Sequence, residues 1–174
     1  LTFEELQALA KEECRYPVLK SAFLFSALTG LRWSDIQKLT WNEVKFSDAT
    51  EWGIYFRQKK TDGVEYLPMT QQARDILPKE RGEADEKVFK GLKYSAYMNA
   101  ALTNWCSKAK ITKHITFHCA RHTNATLLLT QGVDIYTVKK LLGHNDIKTT
   151  EIYAKLIDEK RIEAVNKIPQ LKLL

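Results

Sequence analysis

The sequence is poor in the residues that build unusual chains. Its 174 residues include three cysteines, seven glycines and four prolines. The cysteines, Cys14, Cys106 and Cys119, are too few and odd in number for a disulfide framework, which points to a reducing compartment. Glycine and proline at these levels exclude a collagen-like chain. No apolar run approaches the roughly 20 residues of a membrane helix. The richest stretch, Val18 to Leu28, is broken by Lys20, Ser21 and Ser26. A basic segment leading into an apolar run and a small-residue cleavage site is missing, so secretion is not expected. No internal repeat, low-complexity tract or Gly/Ser linker divides the chain, and a single domain is expected. The sequence opens on Leu1 rather than Met, so a longer parent protein is expected.

What is present is an ordinary globular composition with an excess of positive charge. Hydrophobic residues make up 44% and charged residues 28%, enough to bury a core without staples. Lys and Arg number 27 against 21 Asp and Glu, a net charge of +6. The cations gather mildly at Arg57, Lys59 and Lys60, at Lys108, Lys110 and Lys113, and at Lys139, Lys140 and Lys148. Any one cluster reads as solvated surface lysine; together they fit a polyanionic partner.

Periodicity and capping signals predict a mostly helical domain with a three-stranded sheet inserted early. Thr2-Phe3-Glu4-Glu5 is a capping box opening a helix that ends near Cys14. Pro17 starts a second helix, apolar nearly all round, that runs to Thr29 with Gly30 as its cap. Ser34 with Gln37 reads as another capped start. Residues 43–46, 53–58 and 64–67 read as strands, with Asp62-Gly63 as a hairpin turn between the last two. Further helices are expected over 70–77, 95–108, 118–131 and 135–142, from Asp146 to Tyr153, and over 158–166.

Six polar positions stand out. Arg32 lies at a helix start, Lys60 beside the hairpin, His118 and Arg121 three apart on one helical face, His144 after Gly143, and Tyr153 nine residues later. Singly, each has an ordinary explanation: a surface ion pair, edge protection, a core histidine, a packed tyrosine.

Five segments taken in order resemble the tyrosine recombinase (phage integrase) family. They are Gly30-Leu31-Arg32-Trp33-Ser34-Asp35, Lys60-Thr61, His118-Cys119-Ala120-Arg121-His122-Thr123, Leu141-Leu142-Gly143-His144 and Thr149-Thr150-Glu151-Ile152-Tyr153-Ala154. The likeness runs from near residue 1 to about 160 and is nearest in feel to integrases of bacterial mobile elements. Asp35 stands where many members have Glu. The resemblance implies a single catalytic domain over 1–174, the C-terminal part of a longer integrase whose N-terminal DNA-binding domain is absent from this sequence. It implies double-stranded DNA as partner, self-association on DNA, no membrane, and a cytoplasmic, nucleoid-associated bacterial protein.

The reaction it implies is attack of Tyr153 on a DNA phosphodiester, leaving a 3′-phosphotyrosyl link and a free 5′-hydroxyl, followed by strand exchange and rejoining. A phenol ionises near pKa 10, so phenolate at pH 7 costs on the order of 4 kcal/mol. The resemblance assigns phosphate clamping to Arg32 and Arg121, whose guanidinium forks match phosphate oxygens. It makes His144 a phosphate donor, His118 a proton acceptor or donor near the phenol, Lys60 the acid for the leaving 5′-oxygen, and Asp35 an orienting group behind them. No metal, ATP or other cofactor is implied. The apolar residues Ile162, Val165, Ile168 and Leu171 suit docking either within the chain or on a neighbouring copy.

Three other readings stay open at this point. A type IB topoisomerase uses similar chemistry to relax supercoils. Residues 134–153 resemble a helix-turn-helix, which fits a module that only binds DNA. His114, His118, His122 and Cys119 offer a weak metal set, without the Glu after His118 that a zincin requires.

Overall fold

The computed structural model describes residues 1–47, 51–57, 64–144, 146–151 and 153. Contacts within the chain divide it into two compact units, Leu1–Asn124 and Ala125–Leu174. The first is built by packing helices against each other and against a small sheet. Its helix α1 (Phe3–Lys11) starts with the predicted capping box, in which Thr2 and Glu5 satisfy each other's backbone N–H. The helix stops at Glu12, earlier than its sequence signals, because tertiary contacts take the Glu12 carbonyl. The indole N–H of Trp105 reaches it at 3.1 Å and Lys20 Nζ at 2.7 Å.

Helix α2 (Pro17–Thr29) runs through the centre of this unit. Leu19, Ala22, Phe23 and Phe25 are all buried along it, as a helix apolar on every side requires. Phe23 meets Trp105 and Phe117 edge to face, each with ring centroids 5.7 Å apart. Gly30 ends α2 in the left-handed region at φ 73°, a turn that a residue with a Cβ enters only at a cost.

Helix α3 (Trp33–Lys38) begins two residues earlier than the Ser34 capping signal suggests. Arg32, not a serine, occupies the N-cap, and the Ser34 hydroxyl turns to Asp35 Oδ1 at 3.3 Å. The physical reason is packing: the Trp33 ring lies 4.7 Å from Phe117, and that contact draws Trp33 into the first turn. Ile36 and Leu39 are buried, as their spacing predicts.

A short 3-10 turn (Trp41–Glu43) leads into β1 (Val44–Ser47), β2 (Glu51–Arg57) and β3 (Val64–Pro68). They form one antiparallel sheet in the order β1-β2-β3, with Val44 opposite Ile54 and Ile54 opposite Leu67. These three side chains are buried, so this face of the sheet is turned away from solvent, as a small sheet requires. The expected Asp62-Gly63 turn and the segment holding Lys60 lie outside the described residues. After α4 (Gln71–Asp75), capped by the Thr70 hydroxyl, one tighter turn carries the chain to Leu77 and Pro78. Helix α5 (Ala96–Lys108) is capped by Ser95 and buries Met98, Ala101, Leu102 and Trp105, the stripe its sequence shows.

The boundary between the units falls within α6 (His118–Thr130). In the second unit, Gly132 turns the chain at φ 87°. Asp134 then caps α7 (Ile135–Leu141) by accepting from the Tyr136 and Thr137 amides. A last short helix, α8 (Lys148–Glu151), follows Asp146, whose carboxylate accepts from the Lys148 amide. The core of this unit is a cluster of Ala125, Leu129, Val138, Leu142 and Tyr153. The helix expected over 158–166 and the apolar tail, with Ile162, Val165, Ile168 and Leu171, lie outside the described residues. No described helix is long and apolar enough to cross a membrane.

Candidate active site

In the first unit the end of α2 and the start of α6 bring three of the predicted residues together. Helix α2 ends with carbonyls that have no partner inside the helix. Two side chains of α6 take them up: Asn124 Nδ2 donates to the Ala27 carbonyl at 3.0 Å, and Arg121 Nη1 donates to Gly30 at 2.6 Å. Arg121 is only 5% exposed. A guanidinium in that position needs a strong acceptor, and the negative end of a helix supplies one. Two residues beyond Gly30 stands Arg32, which is exposed. Among the described residues its guanidinium has no hydrogen-bond acceptor or carboxylate partner.

Trp33 fixes the same stretch from the other side. Its ring meets Phe117, the residue before His118, and also Tyr94 with centroids 6.0 Å apart. Arg121 to Gly30 and Trp33 to Phe117 are thus two ties between the Arg32 segment and the start of α6. Asp35, expected behind the arginines, uses its carboxylate to accept from its neighbour Ser34.

Burial and these cations act together on His118. Partial loss of hydration, then the fields of Arg121 and Arg32, push its imidazole below the ordinary range. Burial, then His118 and Arg121, does the same for His122, whose ring meets His118 edge to face at 4.6 Å. Both histidines therefore favour the neutral form, in which one ring nitrogen accepts a proton. The sign of the pH effect follows. As pH falls, the unfolded chain takes up these protons first, at about pH 6.5, so stability is complete above that pH and is lost below it. The thermal midpoint is expected to drop between pH 7 and 5, and a His118→Asn/His122→Asn double variant to drop less. Equal slopes for the two proteins would contradict the assignment.

The second unit holds His144 and Tyr153, joined through one residue. A His144 ring nitrogen and the Thr150 hydroxyl lie 3.0 Å apart, and the Tyr153 amide donates to the Thr150 carbonyl at 3.1 Å. Thr150 is fully buried. That contact fixes the orientation of the His144 ring against a buried hydroxyl. Tyr153 is 8% exposed, its ring packed in the Val138 and Leu142 cluster. Lys60 lies outside the described residues.

Sequence reasoning missed Thr150 and Asn124 as supports, along with the Gly30 carbonyl as the anchor of Arg121. Thr150 carries a faint signal, a polar side chain at a position buried by its helix. The Arg121 anchor carries none, because it spans 91 residues. The thiols stand apart from this chemistry. Burial, with Cys119 and Cys14 nearby, pushes Cys106 up to about 11, and the Thr116 amide donates to Cys119 Sγ at 3.4 Å. Among the described residues no group of three His, Cys, Asp or Glu is placed to hold a metal ion.

Residues 1–160 match the model of the Phage integrase family. The chain is similar to a tyrosine recombinase of Pseudothermotoga lettingae, 30% identical over 147 residues, covering 81% of this chain and 50% of that protein. It is also similar to the tyrosine recombinase XerA of Saccharolobus solfataricus, 35% identical over 131 residues, covering 74% of this chain and 43% of that protein. The chain thus spans about half or less of these relatives' length. Among solved structures, the catalytic domain of bacteriophage HP1 integrase is similar at a TM-score of 0.66 and 28% identity, covering 97% of this chain and 94% of that one. With its fold, its ordered motifs and these likenesses in agreement, the chain belongs to the phage integrase family.

Proposed function

We propose that the chain is the catalytic domain of a site-specific DNA recombinase that breaks and rejoins strands through Tyr153. The observation that supports this best is the Arg121–Gly30 anchor, which ties a buried guanidinium to the carbonyl two residues before the exposed Arg32, with His118 feeling the field of both arginines. In this reading Arg32 and Arg121 hold the non-bridging oxygens of the scissile phosphate and stabilise the charge it gains. His118 accepts the phenol proton, and His144 donates to the phosphate.

The bonds balance at each step. The Tyr153 oxygen bonds to phosphorus, the bond to the 5′-oxygen breaks, and that oxygen leaves with a proton from Lys60. A 5′-hydroxyl then attacks the phosphotyrosine, giving its proton back to Lys60, and the phenol leaves with the proton held by His118. One phosphodiester-type bond is exchanged for another, so the reaction as drawn needs no ATP and uses only protein groups. Asp35 steadies the Arg32 segment. Exchange joins two duplexes, so copies of the chain associate on double-stranded DNA. Structures of the recombinase XerH with its difH substrate and of the Tn1549 integrase with DNA are consistent with a DNA partner.

The test is incubation of the chain with a nicked duplex of its recombination site, in EDTA and without ATP. A protein–DNA complex that survives SDS is expected, and affinity is expected to fall with salt as phosphate contacts release counterions. Binding without any covalent complex would leave only a DNA-binding module. Relaxation of supercoiled plasmid irrespective of site, with no exchange of partners, would replace recombination by topoisomerase chemistry.

A further inference from the structure

The first unit carries a second feature that this chemistry leaves unused. A cavity of about 470 Å³ opens beside β1 and β2, lined in part by Trp41, Trp52 and Leu77. Small-molecule sites commonly measure roughly 300–1,000 Å³. Two guanidinium groups in its lining lie over indole rings, Arg74 at 5.2 Å from the Trp52 centroid and Arg81 at 5.7 Å from that of Trp41.

The two arginines differ in what they have left to offer. Arg81 is anchored, with Nη2 donating to the Trp41 carbonyl at 2.8 Å and the Val44 carbonyl at 3.1 Å. The Arg74 guanidinium has no carboxylate or hydrogen-bond acceptor among the described residues, and neither does the exposed ammonium of Lys79. Asp75 is the single carboxylate in the lining, and Gln71 Nε2 already donates to it at 2.6 Å. The cavity is therefore cationic, and a guanidinium whose attraction to an indole uses no hydrogen bond keeps its N–H groups for a phosphate. An aromatic shoulder adjoins it: Phe46 is 56% exposed and leans on Trp52 with centroids 5.7 Å apart. Inorganic phosphate has no use for that shoulder, and a neutral aromatic has no use for the cations.

We propose that this cavity binds a nucleotide unit, its phosphate on Arg74 and Lys79 and its base stacked on the Phe46–Trp52 shoulder. A free nucleotide and a nucleotide within a single strand of DNA present the same chemistry. The proposal does not depend on the cleavage reading, because none of these residues belongs to the proposed catalytic set.

The test follows tryptophan fluorescence while the chain is titrated with deoxyadenosine monophosphate, a short single-stranded thymidine oligonucleotide, deoxyadenosine, or inorganic phosphate. Saturable quenching is expected with either phosphorylated nucleic-acid probe, and which of the two binds identifies the source. Loss of one charged donor should weaken binding by about tenfold or more in Arg74→Gln. Lys79→Gln, at an exposed side chain whose loss cannot unfold the chain, should weaken it to a smaller degree. Covalent adduct formation on nicked duplex should stay at the wild-type level in both. Absence of saturable quenching with either probe would overturn the proposal. So would phosphate alone or deoxyadenosine binding as tightly, or wild-type binding by both variants.

Discussion

Tyr153→Phe is expected to abolish the covalent protein–DNA adduct on a nicked duplex while leaving DNA affinity nearly unchanged and the chain folded. The ring of Tyr153 is part of the apolar cluster with Ala125, Leu129, Val138 and Leu142. Phenylalanine keeps that ring, so the packing survives and the second unit folds as before. What is lost is the oxygen that bonds to phosphorus. Removing a covalent nucleophile costs on the order of 10⁶ in rate in well-studied hydrolases, because no neighbouring group replaces it. The contrast with Tyr153→Ala is informative: that variant also empties a buried site and should lose about 3–5 kcal/mol of stability, as deletion of a buried aromatic does. A Phe variant that still forms the adduct would move the nucleophile elsewhere.

The second large effect separates the two arginines. Arg32→Ala and Arg121→Ala are each expected to slow cleavage by about 10²–10³, the cost of deleting one donor to a developing oxyanion. Their effects on folding should differ. Arg32 is exposed and has no acceptor among the described residues, so Arg32→Ala should keep the wild-type thermal midpoint. Arg121 is buried and anchored on Gly30, so Arg121→Ala leaves a carbonyl without its donor and should cost about 1–3 kcal/mol of stability as well. Measured together, cleavage rate and thermal midpoint thus sort a residue that only serves chemistry from one that also holds the fold. Wild-type cleavage by Arg32→Ala would remove it from the phosphate clamp.

Much of the scaffold was legible because its signals are local. Thr2, Thr70, Ser95 and Asp134 cap the helices they precede, and Gly30 and Gly132 turn the chain at positive φ. The middle strand showed itself through the alternation of Ile54 and Phe56 with Tyr55 and Arg57, while the register that sets Val44 and Leu67 opposite Ile54 came from the fold. Where local signals met tertiary contacts, the contacts won. Trp33 pulled the start of α3 forward past Ser34, and Trp105 with Lys20 drew the Glu12 carbonyl out of α1.

The candidate site was legible as a set of residue types but not as a set of ties. Arg32, His118 and Arg121 stood out from their motifs, yet nothing local says that Arg121 donates to Gly30 or that Trp33 packs on Phe117. Thr150 was visible only as a small polar residue, although it joins His144 and Tyr153. The cationic cavity was invisible for the same reason, since Arg81 bonds to Trp41 across 40 residues of sequence.

The claim on which the mechanism turns is the identity of the atom joined to DNA. It is tested by trapping the complex on a nicked duplex, digesting it with trypsin and sequencing the peptide that carries nucleotide. The expected product is the peptide Thr149–Lys155, modified at Tyr153 and joined through a 3′-phosphate, with a free 5′-hydroxyl on the departed strand. Nucleotide on any other residue, or a link through a 5′-phosphate, would contradict it.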